Sequence, residues 1–548
     1  MFTGNRCCNW HLTFKKRFYD DELRRLRVHS NTSIVEVTEV TKLLEGFSAK
    51  VDRDLFHRIS DFTIPEKSLI VFTGLNWEQL IHLRSLLTTM RNSNQRDVTQ
   101  ALVAFLLKLR SGNSKNMIAA ILGINWSQRI SDYVDSVIKS FKVDVLPSRF
   151  GVHTMSRNDL ISNHTTLIAK KLHNLDENQL MLIGDGTYLR HQKSTNNSYQ
   201  RKSYTGQKKC HLVKPFTLCM PDGYVVDVLG PFESNLNDAQ ILKHLLENNE
   251  EFKALLQEED VFVLDRGFRD VVQDLEDEGY RVLMPSLKGK RKQLTTEESN
   301  KSRLVTKIRW AVEAVHGIIG QQFKLLHHQF DNKALHNIKA FVQIACFLFN
   351  TYGKRFQSDV DMTDVIVERM NQQFQVENSL ARQVEEEKWS RRTTPFNDLS
   401  SEDLQDFPEM TEKDLKIFFT GGYQLKQAVS YLAELIDKDG VFRLKYLKET
   451  PQIIKVQVRS RHINSKTYNC FVDYKPDSTG YGAINRWCCE CANGNRTIGC
   501  CSHVAAVVFY LSNGRYRSKL INPASILSDL FVDDDTVPVI DEDSDDDD

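Results

Sequence analysis

Three acids stand where phosphodiester chemistry could be assembled: Asp185, Asp265 and Glu313. Asp185 closes a short apolar run at residues 181–185, and Asp265 closes another at 261–265. In an open α/β-type sheet, ligands collect at the carboxyl ends of strands. Glu313 belongs to a helical pattern over residues 304–323 whose apolar face is formed by Leu304, Ile308, Ala311, Val312, Val315, Ile318 and Ile319. Steps of three and four from Glu313 lead instead to Thr306, Arg309, His316, Gly317 and Gly320, a polar and small-residue stripe. Acids converging at one end of a sheet would hold Mg²⁺ or Mn²⁺, with waters and phosphate oxygens in the remaining positions. Two such ions, about 3.5–4 Å apart, would stabilise both the attacking and the leaving oxygen of an in-line displacement. The chemistry expected is metal-dependent cutting or joining of nucleic acid. Any one of these acids alone reads as structural in a chain with 72 acidic residues; their ordered placement gives the set its meaning. Asp222, in the turn Pro221-Asp222-Gly223, and Asp227, on a strand away from the cluster, are set aside.

A second constellation lies near the carboxyl end. Cys489, Cys491, Cys501 and His503 form C-x-C-x9-C-x-H, three thiolates and an imidazole suited to tetrahedral Zn²⁺. Four protein ligands leave no open position, so this site should be structural. Five cysteines fall within fourteen residues, which favours a metal over a spread disulfide framework. Cys488 and Cys500 are read as non-ligands, with a one-residue shift of the set left open.

The elements that must position these groups are legible in outline. Residues 178–352 read as β-β-β-α-β-α-β-α, an antiparallel meander followed by alternating helices and parallel strands. That order predicts an α/β domain, an RNase H-like mixed sheet with flanking helices. Before it, residues 96–145 read as three short helices, either a DNA-binding helix-turn-helix or a plain three-helix bundle. In the first case Gln128 and Arg129 open the recognition helix and face base edges. The pairs Arg201-Lys202 and Lys208-Lys209 and the segment containing Lys288, Lys290, Arg291 and Lys292 are phosphate-binding candidates, against solvated loops as the bland reading. Residues 353–409 read as a charged linker, and residues 410–523 as a small α+β zinc module with its core at 470–512. Residues 1–95 receive no function, and residues 533–548 read as an acidic disordered tail.

The charges balance at 72 basic against 72 acidic, which would argue against a polyanion partner. Ten of the acids fall after Val532, however, leaving residues 1–532 with 72 positive and 62 negative charges, a net of +10. The body is basic and the tail acidic. No apolar run approaches the roughly 20 residues of a bilayer span, and the N-terminus lacks the pattern of a signal peptide. An intracellular, nuclear protein is expected; the run from Lys288 to Lys292 is a weak import signal.

Gly184-Asp185-Gly-Thr-Tyr188, Leu264-Asp265-Arg-Gly-Phe268 and Arg309-Trp-Ala-Val-Glu313-Ala-Val-His316-Gly317 resemble the three catalytic blocks of DDE transposases of the Harbinger-like and related insertion-sequence type. The intervals of 79 and 47 residues between the acids fit that pattern, and Ser203 to Lys209 looks like the family's Lys-rich segment. The resemblance covers roughly residues 95 to 352. It implies an RNase H-like fold, a divalent metal, DNA as partner (transposon ends and target), and hydrolytic nicking followed by strand transfer. The cysteine cluster, with the segments at residues 422–431 and 460–462, resembles a SWIM zinc finger, a family associated with DNA or protein binding. A homo-oligomer and a protein partner for the zinc module remain open. The rival reading is a domesticated, non-catalytic DNA- or chromatin-binding protein.

Overall fold

The structure is a computed structural model that describes residues 64–517, except 94–95, 358–359, 392–394, 436–441 and 461–464, together with Thr38, Thr41 and Ile59. Two units are distinguished, residues 1–63 and 64–548, and everything below concerns the second. Most of the unassigned region 1–95, the acidic tail 533–548 and residues 461–462 of the finger's approach segment lie outside the described residues.

After two short helices at Glu66–Thr73 and Trp77–Leu86 come three more: α1 (Val98–Ser111), α2 (Lys115–Leu122) and α3 (Gln128–Ser140). The Asp97 side chain caps α1 by accepting from the Gln100 amide at 3.0 Å, and Ser114 caps α2 in the same way. The stretch from Ala101 to Leu107 is buried on every side of α1, as expected of a helix that is apolar all round. It packs on α2, α3 and later segments of the chain.

The central sheet has seven strands: β1 (Met181–Gly186), β2 (Leu189–Arg190), β3 (Tyr204–Thr205), β4 (Cys210–Cys219), β5 (Val225–Phe232), β6 (Val261–Val263) and β7 (Arg281–Leu283). β1 lies antiparallel to β4, with Asp185 opposite Thr217, and parallel to β6. β5 flanks β4, β7 extends the parallel side, and the two-residue strands β2 and β3 pair with the start of β4. The meander turns at Pro221-Asp222-Gly223, where Asp222 accepts from the Tyr224 amide at 2.8 Å and meets His164 Nδ1 at 2.8 Å. Asp222 and Asp227 are thus consumed by local structure; Asp227 accepts from the Val228 amide at 2.6 Å.

Helices α4 (Asp238–Asn248), α5 (Val272–Asp277), α6 (Thr296–Gln322) and α7 (Ile338–Tyr352) complete this part. One core joins Leu182, Phe216 and Phe262 of the sheet to Leu242 and Leu245 of α4. Deleting a ring such as Phe262 from so closed a core costs about 3–5 kcal/mol. α6 begins eight residues before the expected position, because Thr295 and Glu298 form a reciprocal capping box ahead of the first apolar turn.

Residues 353–409, expected as a charged linker, are folded where described. Helices α8 (Val360–Phe374) and α9 (Ser379–Glu386) are followed by strand β8 (Phe396–Ser400). Leu380 and Val384, one turn apart on α9, join Trp389, Phe396, Phe471 and Cys488 in a buried cluster, so the acidic run at 385–387 is only the solvent face of a packed helix. β8 is the edge of a five-stranded antiparallel sheet with β9 (Arg443–Leu447), β10 (Ile453–Arg459), β11 (Thr467–Tyr474) and β12 (Ile484–Cys489) in sequential order. Helices α10 (Gly422–Leu435) and α11 (Ser502–Ser512) cover its other face.

Candidate active site and metal centre

The sheet delivers two of the three predicted acids, and α6 the third. Asp185 stands at the carboxyl end of β1, largely buried. Asp265 follows β6, and its side chain accepts from the Gly267 amide at 2.8 Å, which holds the carboxylate at the start of a tight helical turn. Glu313 lies on α6 with a side chain half exposed, paired to Arg309 one turn earlier. These groups share one electrostatic field. Burial lifts Asp185 to about 7; Arg309 opposes the shift, and Asp265, Asp238 and Glu313 add to it in that order. His316, one turn past Glu313, reaches back to the sheet. Its Nε2 lies 2.9 Å from Thr217 Oγ1 and its Nδ1 3.5 Å from Asp185 Oδ2, and burial lowers it to about 4, so the imidazole is neutral.

Asp238 is the member that sequence reasoning passed over. As the first residue of α4, after the Asn237 cap, it reads as an ordinary first-turn acid. Folding instead sets it against β1: a Cβ at Gly186 would fall 2.7 Å from Asp238 Oδ1, so glycine alone permits the approach. That oxygen is buried without a hydrogen-bond partner, and Lys214 Nζ stands 3.6 Å away. Burial raises Asp238, Lys214 counters the shift, and Asp265 adds to it. A buried carboxylate whose nearest cation, Lys214, stands 3.6 Å off, in the field of Asp185 and Asp265, belongs to the oxygen-rich class of site that suits a hard cation. The oxygen-only chemistry of the four acids is of the class that suits Mg²⁺ or Mn²⁺, while among the described residues only the cysteine and histidine ligand atoms already lie within reach of a single ion. Lys214 and Lys208 both approach the ring of half-exposed Tyr188, at 5.4 and 6.0 Å, placing cations at the rim of the cluster.

The phosphate and base candidates divide. Gln128 and Arg129 are exposed at the start of α3, where Gln128 Oε1 accepts from Lys115 Nζ at 3.0 Å. Trp126, just before them, is 77 % exposed. Lys208, Lys209, Lys290 and Lys292 are exposed and Lys288 half-buried. Arg291 differs: its guanidinium forks onto Glu298 at 2.8 and 2.9 Å and is spent on the start of α6.

The cysteine constellation closes on itself. Cys489, Cys491, Cys501 and His503 are buried with their ligand atoms all within 4.8 Å of one another, a set that could hold Zn²⁺ in tetrahedral geometry. Cys489 ends β12, and the chain returns so tightly that a Cβ at Gly494 would fall 1.8 Å from the Cys489 carbonyl oxygen. The Cys491 amide donates to Cys489 Sγ at 3.4 Å, and contacts from the Cys489 and Cys491 thiols hold Cys501 well below the usual thiol range. Strand alternation turns Cys488 into the opposite cluster with Phe471, and Cys500 is buried beside the set without belonging to it. Cys470 was missed; its Sγ lies 3.5 Å from Cys489 Sγ across the β11–β12 pair. His503 sits between the rings of Tyr431 and Tyr468.

Residues 184–350 match the family of DDE superfamily endonucleases, a span that holds all three predicted acids and Asp238. This segment is therefore similar to a DDE endonuclease domain; the match covers less than a third of the chain. Two solved structures align with it. A cryo-EM structure of a piggyBac transposase synaptic complex with hairpin DNA is 10 % identical, over 58 % of this chain and 83 % of that one, with a TM-score of 0.26. A crystal structure of a pre-cleavage Mos1 transpososome is 12 % identical, over 58 % and 96 %, with a TM-score of 0.18. No curated protein matches. No helix among the described residues is long and apolar enough to cross a membrane.

Proposed function

We propose that this protein is a transposon-derived DDE endonuclease of the Harbinger-like group, which nicks DNA and transfers the strand. The observation that carries the reading is the convergence of Asp185, Asp265 and Glu313, joined by Asp238, within a segment similar to DDE endonucleases. When bound at these acids, Mg²⁺ or Mn²⁺ would supply charge stabilisation to the attacking and leaving oxygens of the phosphodiester.

The chain's own residues do the rest. Asp185 is half-protonated near neutrality and must release its proton to act as a ligand. Neutral His316 and Thr217 fill the space behind it, fixing the carboxylate's orientation. Arg309 offsets the negative charge from the helix side and keeps Glu313 extended toward the cluster. Lys208, exposed over Tyr188, is placed to take the DNA backbone entering the site, while buried Lys214 is spent on the Leu236 carbonyl at 2.7 Å and on Asp238. We assign α3, with Gln128 and Arg129, to recognition of the element's DNA, and Lys209, Lys288, Lys290 and Lys292 to phosphate contacts. We assign the C-terminal Cys/His set to a structural zinc site of SWIM type, and the protein to the nucleus, with transposon-end and target DNA as its partner.

The test is incubation of the full chain with DNA from the borders of its own gene, scoring nicking and joining in Mg²⁺ or Mn²⁺. The wild type should yield both products, and Asp265→Asn neither, with DNA binding retained. Nicking that persists in Asp265→Asn removes the assignment, and a wild type that binds but never cuts supports the domesticated DNA-binding protein instead.

A further inference from the structure

The zinc-type centre does not hang from the nuclease as a separate tether; it grips the helix that carries Glu313. Gln293, two residues before the α6 cap Thr295, donates through Nε2 to the carbonyl oxygens of Cys489 at 2.7 Å and Cys491 at 2.8 Å, the two cysteines of the C-x-C turn. The Leu294 amide donates to the Ala492 carbonyl at 3.0 Å, and Asn495 Nδ2 returns to the Leu294 carbonyl at 3.1 Å. One turn into α6, Asn300 is wholly buried. Its Oδ1 accepts from the Thr497 and Ile498 amides at 3.0 and 3.1 Å, inside the loop between ligands Cys491 and Cys501. Arg303 and Lys307, each a turn further on, donate to Thr420, the latter at 2.6 Å.

These partners have a common property. Every group of the C-terminal module that receives α6 is a backbone atom or a neutral side chain of the 489–498 loop or of residues 419–424. Among the described residues no carboxylate pairs with the buried Arg303 and Lys307, which burial lowers to about 9 and about 7. The docking therefore depends on loop shape rather than on ion pairing, and an unpaired donor left in that interface is costly. The shape of residues 489–501 is fixed by the convergence of three sulfurs and an imidazole. Glu313 stands seventeen residues beyond Thr296, about 25 Å along a continuous helix at 1.5 Å per residue. A small tilt at the anchored end becomes a displacement of ångströms at the acid.

We propose that the Cys489-Cys491-Cys501-His503 centre is a positioning device for the nuclease: a metal held there fixes the 489–501 loop, which through Gln293 and Asn300 fixes α6 and places Glu313 against Asp185 and Asp265. Gln293 and Asn300 are positioning residues; neither touches substrate. The consequence is that zinc availability governs DNA cutting from a site that takes no part in the chemistry. This inference rests on the zinc and nuclease readings above.

The experiment uses the full chain in three forms: wild type, wild type stripped of zinc by a chelator, and Gln293→Ala, which keeps all four ligands. Amide exchange over residues 294–307, Mn²⁺ affinity of the acid cluster and zinc content are measured together with nicking. Zinc removal and Gln293→Ala should both accelerate exchange in α6 and weaken Mn²⁺ binding, the variant retaining its zinc. Nicking should fall by on the order of tenfold to a hundredfold, the scale of an ångström-sized misplacement. Unchanged exchange and unchanged Mn²⁺ affinity in both altered forms would overturn the proposal. Exchange and Mn²⁺ binding decide it even if the wild type cuts no DNA, so failure of the nuclease reading is separately visible.

Discussion

The acid cluster and the cysteine cluster, the two cation sites proposed above, are built in opposite ways. The acids come from four separate places, β1, the turn after β6, α4 and α6; Glu313 is half exposed, and the buried Asp238 oxygen has only Lys214 near it, at 3.6 Å. The cysteines and His503 come from one fifteen-residue stretch, all buried, with every ligand turned on its neighbours. An open set leaves room for water and substrate; a closed set of four leaves none. The comparison separates a site that works from a site that holds.

The largest effect should follow from removing a carboxylate at the open site. Asp265→Asn should lower nicking by on the order of a thousandfold or more, the scale of losing a directly acting group, without changing zinc content. At the closed site, Gly494→Ala should disrupt the C-x-C turn by driving a methyl into the Cys489 carbonyl, releasing zinc and lowering the melting temperature. Retention of stoichiometric zinc in that variant would blur the contrast.

Asp238→Asn should weaken Mn²⁺ binding by about tenfold, as loss of a group beside the primary ligands does, and leave the fold intact. A pH series sharpens the same point. Asp185 is raised to about 7, so between the ordinary carboxylate range and neutrality the folded, metal-free protein keeps a proton that the unfolded chain has lost. The Asp185 contribution to stability should be fully present below the ordinary carboxylate range and be lost as pH rises toward about 7, against an opposite contribution from His316 and His173, both lowered to about 4, while Mn²⁺ affinity increases over the same window. Asp185→Asn should flatten that decline, as read by thermal melts. The smallest effects belong to the basic loop. Lys290→Ala and Lys292→Ala should each reduce the salt dependence of DNA binding by roughly one phosphate contact, whereas Arg291→Ala, already engaged by Glu298, should not.

How much of this was legible in sequence follows from how local each signal is. The C-x-C-x9-C-x-H spacing is a short-range pattern, and the β-β-β-α-β-α-β-α order follows from hydrophobic runs and turns. Asp238 escaped because an acid after an asparagine cap explains itself locally; only the packing of α4 against Gly186 brings it to the cluster. The early start of α6 was written in Thr295 and Glu298 but lay ahead of the apolar period. The connector at 353–409 reads in sequence as helical or partly disordered, and its helices are present; what charge hid was the single buried stripe of Leu380 and Val384 that packs it down. The grip of Gln293 on the cysteine turn joins residues almost two hundred positions apart and has no sequence signature.

The most direct test of the two-centre account is a paramagnetic titration of zinc-loaded protein with Mn²⁺, wild type beside Asp265→Asn. The account predicts saturable Mn²⁺ binding that tightens as pH rises and is lost in the variant while zinc stays in place. Equal Mn²⁺ binding by the two proteins would contradict it.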